Sequence, residues 1–303
     1  MLHFSEQPMP QDRLPQRRML RKPAEHEHRT PEQIRQHYEV EKELADRLRC
    51  APPEQRSQLY PVVYDELLRR VPTHPNLTRN KDPLLVGRLV AEKMALLSGL
   101  IAPDVVFMEV GAGDCRLALE VARRVKKVYA VDVCAEISAG MAVPSNFELL
   151  LTNGTEIPLA PNTITVAYSY QLMEHIHPGD ALEELHNIYR ALAPGGMYVC
   201  ITPNRLFGPH DVSKYFDRTA SGFHLKEYTL SELKPLFQAA GFQRVAAYAG
   251  TRGRFAQVPL PAVTLLENIV SAFPWRLRRH AAELPLLRHL LSAAVIGWKP
   301  LPK

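Results

Sequence analysis

From residue 105 onward, short apolar runs alternate with stretches whose apolar residues recur at helical spacing, the pattern of a parallel sheet covered by helices. Val105 to Val110 carries no charge except Glu109, as expected for a strand buried on both faces. Gly111-Ala112-Gly113 follows at once. A helix is expected to open near Asp114, with Leu117, Leu119, Val121, Ala122 and Val125 as its apolar set and Arg123, Arg124, Lys126 and Lys127 at its C-terminal end. Further strands are expected at Val128 to Val133, Phe147 to Leu151, Thr163 to Tyr170 and Met197 to Thr202. Between the last two, a helix from about Gly179 to Leu192 stops at Ala193-Pro194-Gly195-Gly196. Thr229 to Ala240 reads as a helix closed by Gly241, Phe242 to Tyr248 as a sixth strand, and Leu291 to Trp298 as a final apolar run.

Upstream of residue 105 the period is helical. Thr30-Pro31-Glu32-Gln33 offers an N-cap, a proline at the first helical position and a reciprocating glutamine. Ile34, His37, Tyr38, Glu41, Leu44, Ala45 and Leu48 then fall near one face of a helix ending around Cys50. A second helix is expected from about Pro53 to Val71 and a third from Pro83 to Leu100, with a polar connection, Thr73 to Asp82, between them. Residues 1–29, rich in Pro, Gln, Arg and Glu, read as a mobile tail. The division that follows is tail 1–29, helical cap 30–100 and α/β core 101–303. Two stretches of the core leave the alternation. Residues 203–229 form a long polar loop at the carboxyl end of the fifth strand, where it would overhang a ligand. Residues 251–290 read as a helical insertion.

Composition narrows the class. The chain has 303 residues, 46% hydrophobic and 23% charged, enough for one large core with additions. Cys50, Cys115, Cys134 and Cys200 show no C-x-x-C pairing, which points to reduced thiols and a cytoplasmic setting rather than a disulfide framework or zinc site. No leader-like segment and no apolar run of transmembrane length is visible. A net charge of +5 admits nucleic acid or an anionic membrane without requiring either. No RNA-binding module is recognisable, so nucleic acid is not the expected partner. Trp275 to His280 (WRLRRH) makes residues 251–290 compatible with a greasy acceptor wall, a dimer face or peripheral membrane contact, as well as with packing on the sheet edge. His26-Glu27-His28 is the one short metal-like pair, of a kind polar tails carry by chance, and no metal site is expected.

Chemistry concentrates at Glu109, Gly111 and Gly113. Glycine permits positive φ and removes the Cβ that would hold a ligand off the chain, so a ligand can lie on the peptide itself. Asp132 stands 23 positions after Glu109, roughly where a βαβ unit returns a second strand tip beside the first. A carboxylate there can accept both hydroxyls of a ribose, which points to a nucleoside-containing ligand. The dinucleotide fingerprint is incomplete, since Arg116 occupies its third glycine position.

The E-x-G-x-G pattern at Glu109, Gly111 and Gly113 resembles the class I S-adenosylmethionine-dependent methyltransferases, although Cys115 stands where members often carry a further glycine. Gln171-Leu172-Met173-Glu174-His175 resembles the leucine-Glu-His segment that follows strand four in a large subgroup. The helix, Pro194-Gly195-Gly196 and apolar strand after it extend the resemblance to about Leu84 to Lys299. It implies a seven-stranded Rossmann-like sheet ending in an antiparallel strand at Leu291 to Trp298, a helical cap, and S-adenosyl-L-methionine as cofactor. Glu109, Gly111, Ala112 and Gly113 would hold its methionine and ribose portion, Asp132 and Val133 the ribose, and Asn153 with Gly154 the adenine, at a place where members often have an acidic residue. Tyr170 and Gln171 would border the methyl-donor site. His175 is the first candidate general base, with His224 and His210 in the overhanging loop as rivals. Arg205, Lys214 or Arg218 could pair with an acid group on the acceptor, and Tyr38 with Arg79-Asn80 could face the site, though each also suits plain surface packing. The expected acceptor is a small molecule or glycan-type hydroxyl, because no Asn-Pro-Pro-Tyr-like element for planar amines is present. RNA or protein methylation and a non-catalytic binding role stay open.

Overall fold

The computed structural model describes residues 19–20, 27–79, 82–133, 142–251, 254–284, 287, 290–291 and 293–302. Its centre is an eight-stranded mixed sheet in the order β3-β2-β1-β4-β5-β8-β6-β7. The strands are β1 (Val106–Val110), β2 (Lys127–Asp132), β3 (Phe147–Leu151), β4 (Ile164–Tyr170), β5 (Leu192–Thr202), β6 (Arg244–Thr251), β7 (Arg254–Val258) and β8 (Ala293–Trp298). β1 to β5 pair in parallel, as near-continuous apolar strands joined by helical crossovers must. β8 inserts antiparallel between β5 and β6, the role expected of the last apolar run. The expected count of seven strands is corrected to eight: β7, inside the stretch read as a helical insertion, pairs with β6 through Arg254, Phe255, Ala256, Gln257 and Val258.

The helices include α1 (Pro31–Cys50), α2 (Pro53–Arg70), α3 (Pro75–Arg79), α4 (Pro83–Leu97), α5 (Arg116–Ala122), α6 (Ala181–Ala191), α7 (Leu230–Ala239), α8 (Leu260–Ser271) and α9 (Trp275–Glu283). The expected capping box of α1 forms, with Thr30 Oγ1 accepting from Gln33 N and Gln33 Oε1 accepting from Thr30 N. The supposed polar connection at 73–82 holds the short helix α3. β5 starts earlier than expected, because Ala193-Pro194-Gly195-Gly196 forms an irregularity inside the strand rather than a break before it.

Apolar residues of both sheet faces build the core. Met108, Val110 and Tyr198 join α6, α7 and α8 on one face, while Phe107, Val128 and Tyr168 join α4 and α5 on the other. A third cluster fastens α1 and α2 to Phe223 of the overhanging loop. Polar bonds reinforce it: Tyr38 OH donates to Asp217 Oδ2 at 2.8 Å, Phe223 N to Glu41 Oε1 at 2.9 Å, and Arg49 to the Ser221 and Gly222 carbonyls at 2.9 and 2.7 Å. Part of the presumed tail joins them, since Met19 packs beside Tyr215, Leu20 N donates to the Tyr215 carbonyl and Tyr215 OH donates to Glu27.

Candidate active site

Strand register gathers the glycine loop, Asp132 and the Tyr170-Gln171 turn. Val110 stands opposite Val131 of β2 and Ser169 of β4, so the segments leaving these strands emerge along one edge of the sheet. Gly111 and Ala112 donate their N–H groups to the Val131 carbonyl at 2.8 and 3.3 Å. Gly113 N–H donates to Asp132 Oδ2 at 2.7 Å, so this carboxylate ties the loop to the next strand. Gly111 and Gly113 both have positive φ, +73° and +55°. A Cβ on Gly111 would meet Leu172 Cδ1 at 3.0 Å, whereas a Cβ on Gly113 meets nothing within 4 Å and would fill the space above the loop. Cys115 also has positive φ, 60°, which is the physical reason a glycine suits that position; its buried thiol is pushed up to about 12 by burial.

Glu109 is buried at the end of β1, and its Oε2 has no hydrogen-bond partner among the described residues. Burial pushes its carboxyl up to about 8, with the Lys93 ammonium pulling the other way. A carboxyl in that condition gains from any donor brought to it. With the open cradle over Gly113 and the Asp132 carboxylate beside it, this edge fits a ligand carrying hydroxyls and an ammonium, as S-adenosylmethionine does.

The remaining expected contacts are distributed differently. Val133 packs against the α1–α2 cluster. Asn153 is exposed and lines a cavity of about 440 Å³ with Tyr60 of α2 and Asp180 and Asn187 near α6. Gly154 has φ +121°, and a Cβ there would stand 2.5 Å from the Tyr60 ring, so close approach of Tyr60 demands that glycine. Tyr170 is partly exposed beneath the Lys93 ammonium, 4.4 Å from the ring centroid. Gln171 adopts φ 57° and donates its N–H to the Ile201 carbonyl, turning the chain off β4 onto the Glu-His segment. Lys93 had no signal in the sequence, because only the packing of α4 brings it to Tyr170 and Glu109.

The three histidines meet in one network. His175, in a 3-10 turn (Met173–His175), has Nδ1 3.0 Å from the Phe223 carbonyl, 48 positions away, which makes Nδ1 the donor. Burial and the nearby His224 push its pKa down to about 3, leaving a neutral imidazole. His224 lies at 5.0 Å, ring centroid to centroid, edge-on to His175. Its Nδ1 is 2.7 Å from Glu227 Oε1. Burial alone would lower His224, but the Glu227 bond and the carboxylates of Glu174 and Asp211 raise it to about 9. Burial would raise Glu227, but His210 and His224 hold it down at about 2. His210, at the surface end, meets Glu227 through its N–H at 2.7 Å and Nδ1 at 3.2 Å. His224 and Glu227 line a second cavity of about 420 Å³, walled also by Arg205, Arg218, Lys226 and Arg278. Lys214 lies instead beside the Tyr215 ring. Tyr38 bonds to the loop through Asp217, while Asn80 and His26 lie outside the described residues.

A methyltransferase-domain family matches residues 79–247, more than half of the chain, and the chain belongs to that family. The resemblance to class I methyltransferases read from the glycine loop and the Glu-His segment is thus family membership. A probable S-adenosylmethionine-dependent methyltransferase of Mycolicibacterium smegmatis is 33% identical over 92 residues, 30% of this chain and 33% of that protein. A second, from Mycobacterium tuberculosis, is 30% identical over 143 residues, 46% of this chain and 49% of the relative. The matched stretch therefore spans less than half of each of these relatives. Among solved structures, the 1,6-didemethyltoxoflavin-N1-methyltransferase of Burkholderia thailandensis, bound to 1,6-didemethyltoxoflavin and S-adenosylhomocysteine, shares the fold. Its TM-score is 0.51 at 16% identity, covering 82% of this chain and 91% of that one.

Proposed function

We propose that the chain is an S-adenosylmethionine-dependent methyltransferase acting on a small-molecule acceptor, at a hydroxyl. The observation that carries the reading is the edge where the buried Glu109 keeps one oxygen, Oε2, without a hydrogen-bond partner among the described residues, Gly113 lies open and Asp132 fastens the loop. Glu109, Gly111, Ala112, Gly113 and Asp132 hold the cofactor, with Tyr170 and Gln171 beside it. Bound there, S-adenosylmethionine supplies a methyl group made electrophilic by its sulfonium. The protein's own task is to fix the acceptor in line and to exclude water. Asn153 lines its own cavity on the α2 side and supports adenine binding less directly. His175, neutral and bonded through Nδ1, presents Nε2 as its basic atom and suits proton acceptance better than His224. The cationic wall formed by Arg205, Arg218, Lys226 and Arg278 supports an acceptor that carries an acid group.

Calorimetric titration with S-adenosylhomocysteine tests the cofactor reading, with NADH as control. Binding of the former alone is expected. Asp132→Ala removes both a ligand contact and the Gly113 bond, and is expected to weaken binding by about 1.5–3 kcal/mol, roughly 10- to 150-fold. Unchanged affinity in that variant removes Asp132 from the site, and binding of NADH alone overturns the assignment.

A further inference from the structure

We propose that Glu174, His175 and His224 form a binding site for a first-row divalent cation of the zinc class. The site does not depend on the methyl-donor reading; a cation held there takes the His175 Nε2 and so replaces that residue's role as proton acceptor. Their ligand atoms lie within 4.8 Å of one another, and Glu174 is buried completely. Glu174 Oε2 accepts from Thr202 Oγ1 at 2.8 Å, while Oε1 has no hydrogen-bond partner among the described residues. The same cluster holds two imidazoles, each with one ring nitrogen already engaged. His175 donates Nδ1–H to the Phe223 carbonyl and His224 donates Nδ1–H to Glu227, which leaves Nε2 of each ring as the atom that can bind an ion, His224 giving up its Nε2 proton when it does so. Metal-binding histidines are oriented in this manner, by a carbonyl or carboxylate on the nitrogen that does not bind the ion. Metal–ligand bonds of about 2.0–2.2 Å set neighbouring ligand atoms roughly 3–3.5 Å apart, within reach of small rotamer changes here.

Charge favours the same occupant. Glu227 and Glu174 place carboxylate oxygens beside His224, a setting that suits a cation. Two imidazoles and one carboxylate select zinc, iron, cobalt or nickel over magnesium or calcium. Three protein ligands leave a coordination position open, and one of them, His224, also lines the cavity of about 420 Å³. The second His/Glu cluster, His37, Glu41 and His74, is different in kind: His37 Nδ1 already accepts from Arg29 at 2.7 Å and its Nε2 faces Glu41 at 2.6 Å. That cluster leaves His37 no ring lone pair to spare.

Co2+ serves as the probe, titrated into the untagged, chelator-treated full-length chain and followed by its visible ligand-field bands, with metal content measured after dialysis. The expected result is one equivalent of Co2+, displaced by Zn2+ and not by Mg2+. Glu174→Gln and His175→Ala are each expected to weaken binding at least about 100-fold, Glu227→Gln about 10- to 100-fold, and His74→Ala to leave it unchanged. Circular dichroism in chelator checks that each variant is folded. His175→Gln, which keeps a donor towards the Phe223 carbonyl, replaces His175→Ala if the latter is not folded. Absence of a one-to-one complex in the unsubstituted chain overturns the site, as does unchanged Co2+ binding in the Glu174 and His175 variants. S-adenosylhomocysteine affinity measured on the same samples reports separately on the donor edge.

Discussion

Single atoms decide whether the glycine loop can work. The two loop glycines look equivalent in the sequence, yet Gly111 is confined by Leu172 and Gly113 is open above. Gly111→Ala is expected to destabilise the protein by about 1–2 kcal/mol through left-handed backbone and the Leu172 contact, seen as a lower unfolding midpoint in urea. Gly113→Ala pays the same backbone strain without the clash, so its larger effect is expected on S-adenosylhomocysteine affinity. Glu109 gives a second residue-scale prediction. Its folded pKa near 8 lies above an unfolded value of about 4.3, so the proton is retained between those pH values and this group lowers apoprotein stability as pH rises through that window. A ligand that brings donors or an ammonium to the carboxyl favours ionisation. Binding of S-adenosylhomocysteine at pH 7 should therefore release a proton, read as a binding enthalpy that depends on the ionisation enthalpy of the buffer. The dependence should vanish in Glu109→Gln, and a buffer-independent enthalpy in the unsubstituted chain shows that Glu109 stays protonated.

At the scale of elements, side-chain clasps hold the helical cap over the sheet. Arg56 of α2 bonds to both Asp180 oxygens, through Nε at 2.7 Å and through Nη2, and Tyr60 OH donates to Asp180 Oδ2 at 2.9 Å while accepting from His177 N at 2.8 Å. Arg56 and Asp180 are both buried, so removing one strands the other away from water. Asp180→Ala is expected to cost about 3–5 kcal/mol by urea unfolding, whereas an exposed pair such as Arg47–Glu66 is worth at most about 1 kcal/mol. None of this was legible in the sequence, because Arg56 and Asp180 are 124 positions apart and neither belongs to a motif. The Glu174, His175 and His224 cluster was legible in part: Glu174-His175 was read as a segment after β4, but no spacing joins it to His224, which only the loop after β5 brings back to it. By contrast, the α1 capping box and the Glu109-to-Asp132 βαβ unit are local, so propensity and spacing sufficed to read them.

For the whole molecule, the parallel half of the sheet was legible because buried strands announce themselves as apolar runs bounded by turns. The edge beyond β6 was not, since β7 is short and mixes Arg254 and Gln257 with apolar residues, a pattern that fits an edge strand only once β6 is there to pair with it. After β7 the chain forms α8 and α9, and the described residues contain no helix long and apolar enough to cross a membrane. They do show an unusual surface. Leu265 and Ile269, one turn apart on α8, are 62% and 51% exposed, and Phe273 and Leu277 continue the apolar exposure beside the basic WRLRRH stretch. Apolar side chains flanked by arginines are the combination that binds an anionic bilayer surface, each basic residue near the lipid adding about 1 kcal/mol. This supports the proposal of peripheral membrane contact. Co-sedimentation is expected with vesicles containing anionic lipid and not with purely zwitterionic ones, falling as salt rises and lost in a Phe273→Glu, Leu277→Glu double variant. If the chain stays in solution with both vesicle types and instead dimerises as its concentration rises, with the double variant monomeric, the face is one on which two copies of this chain meet.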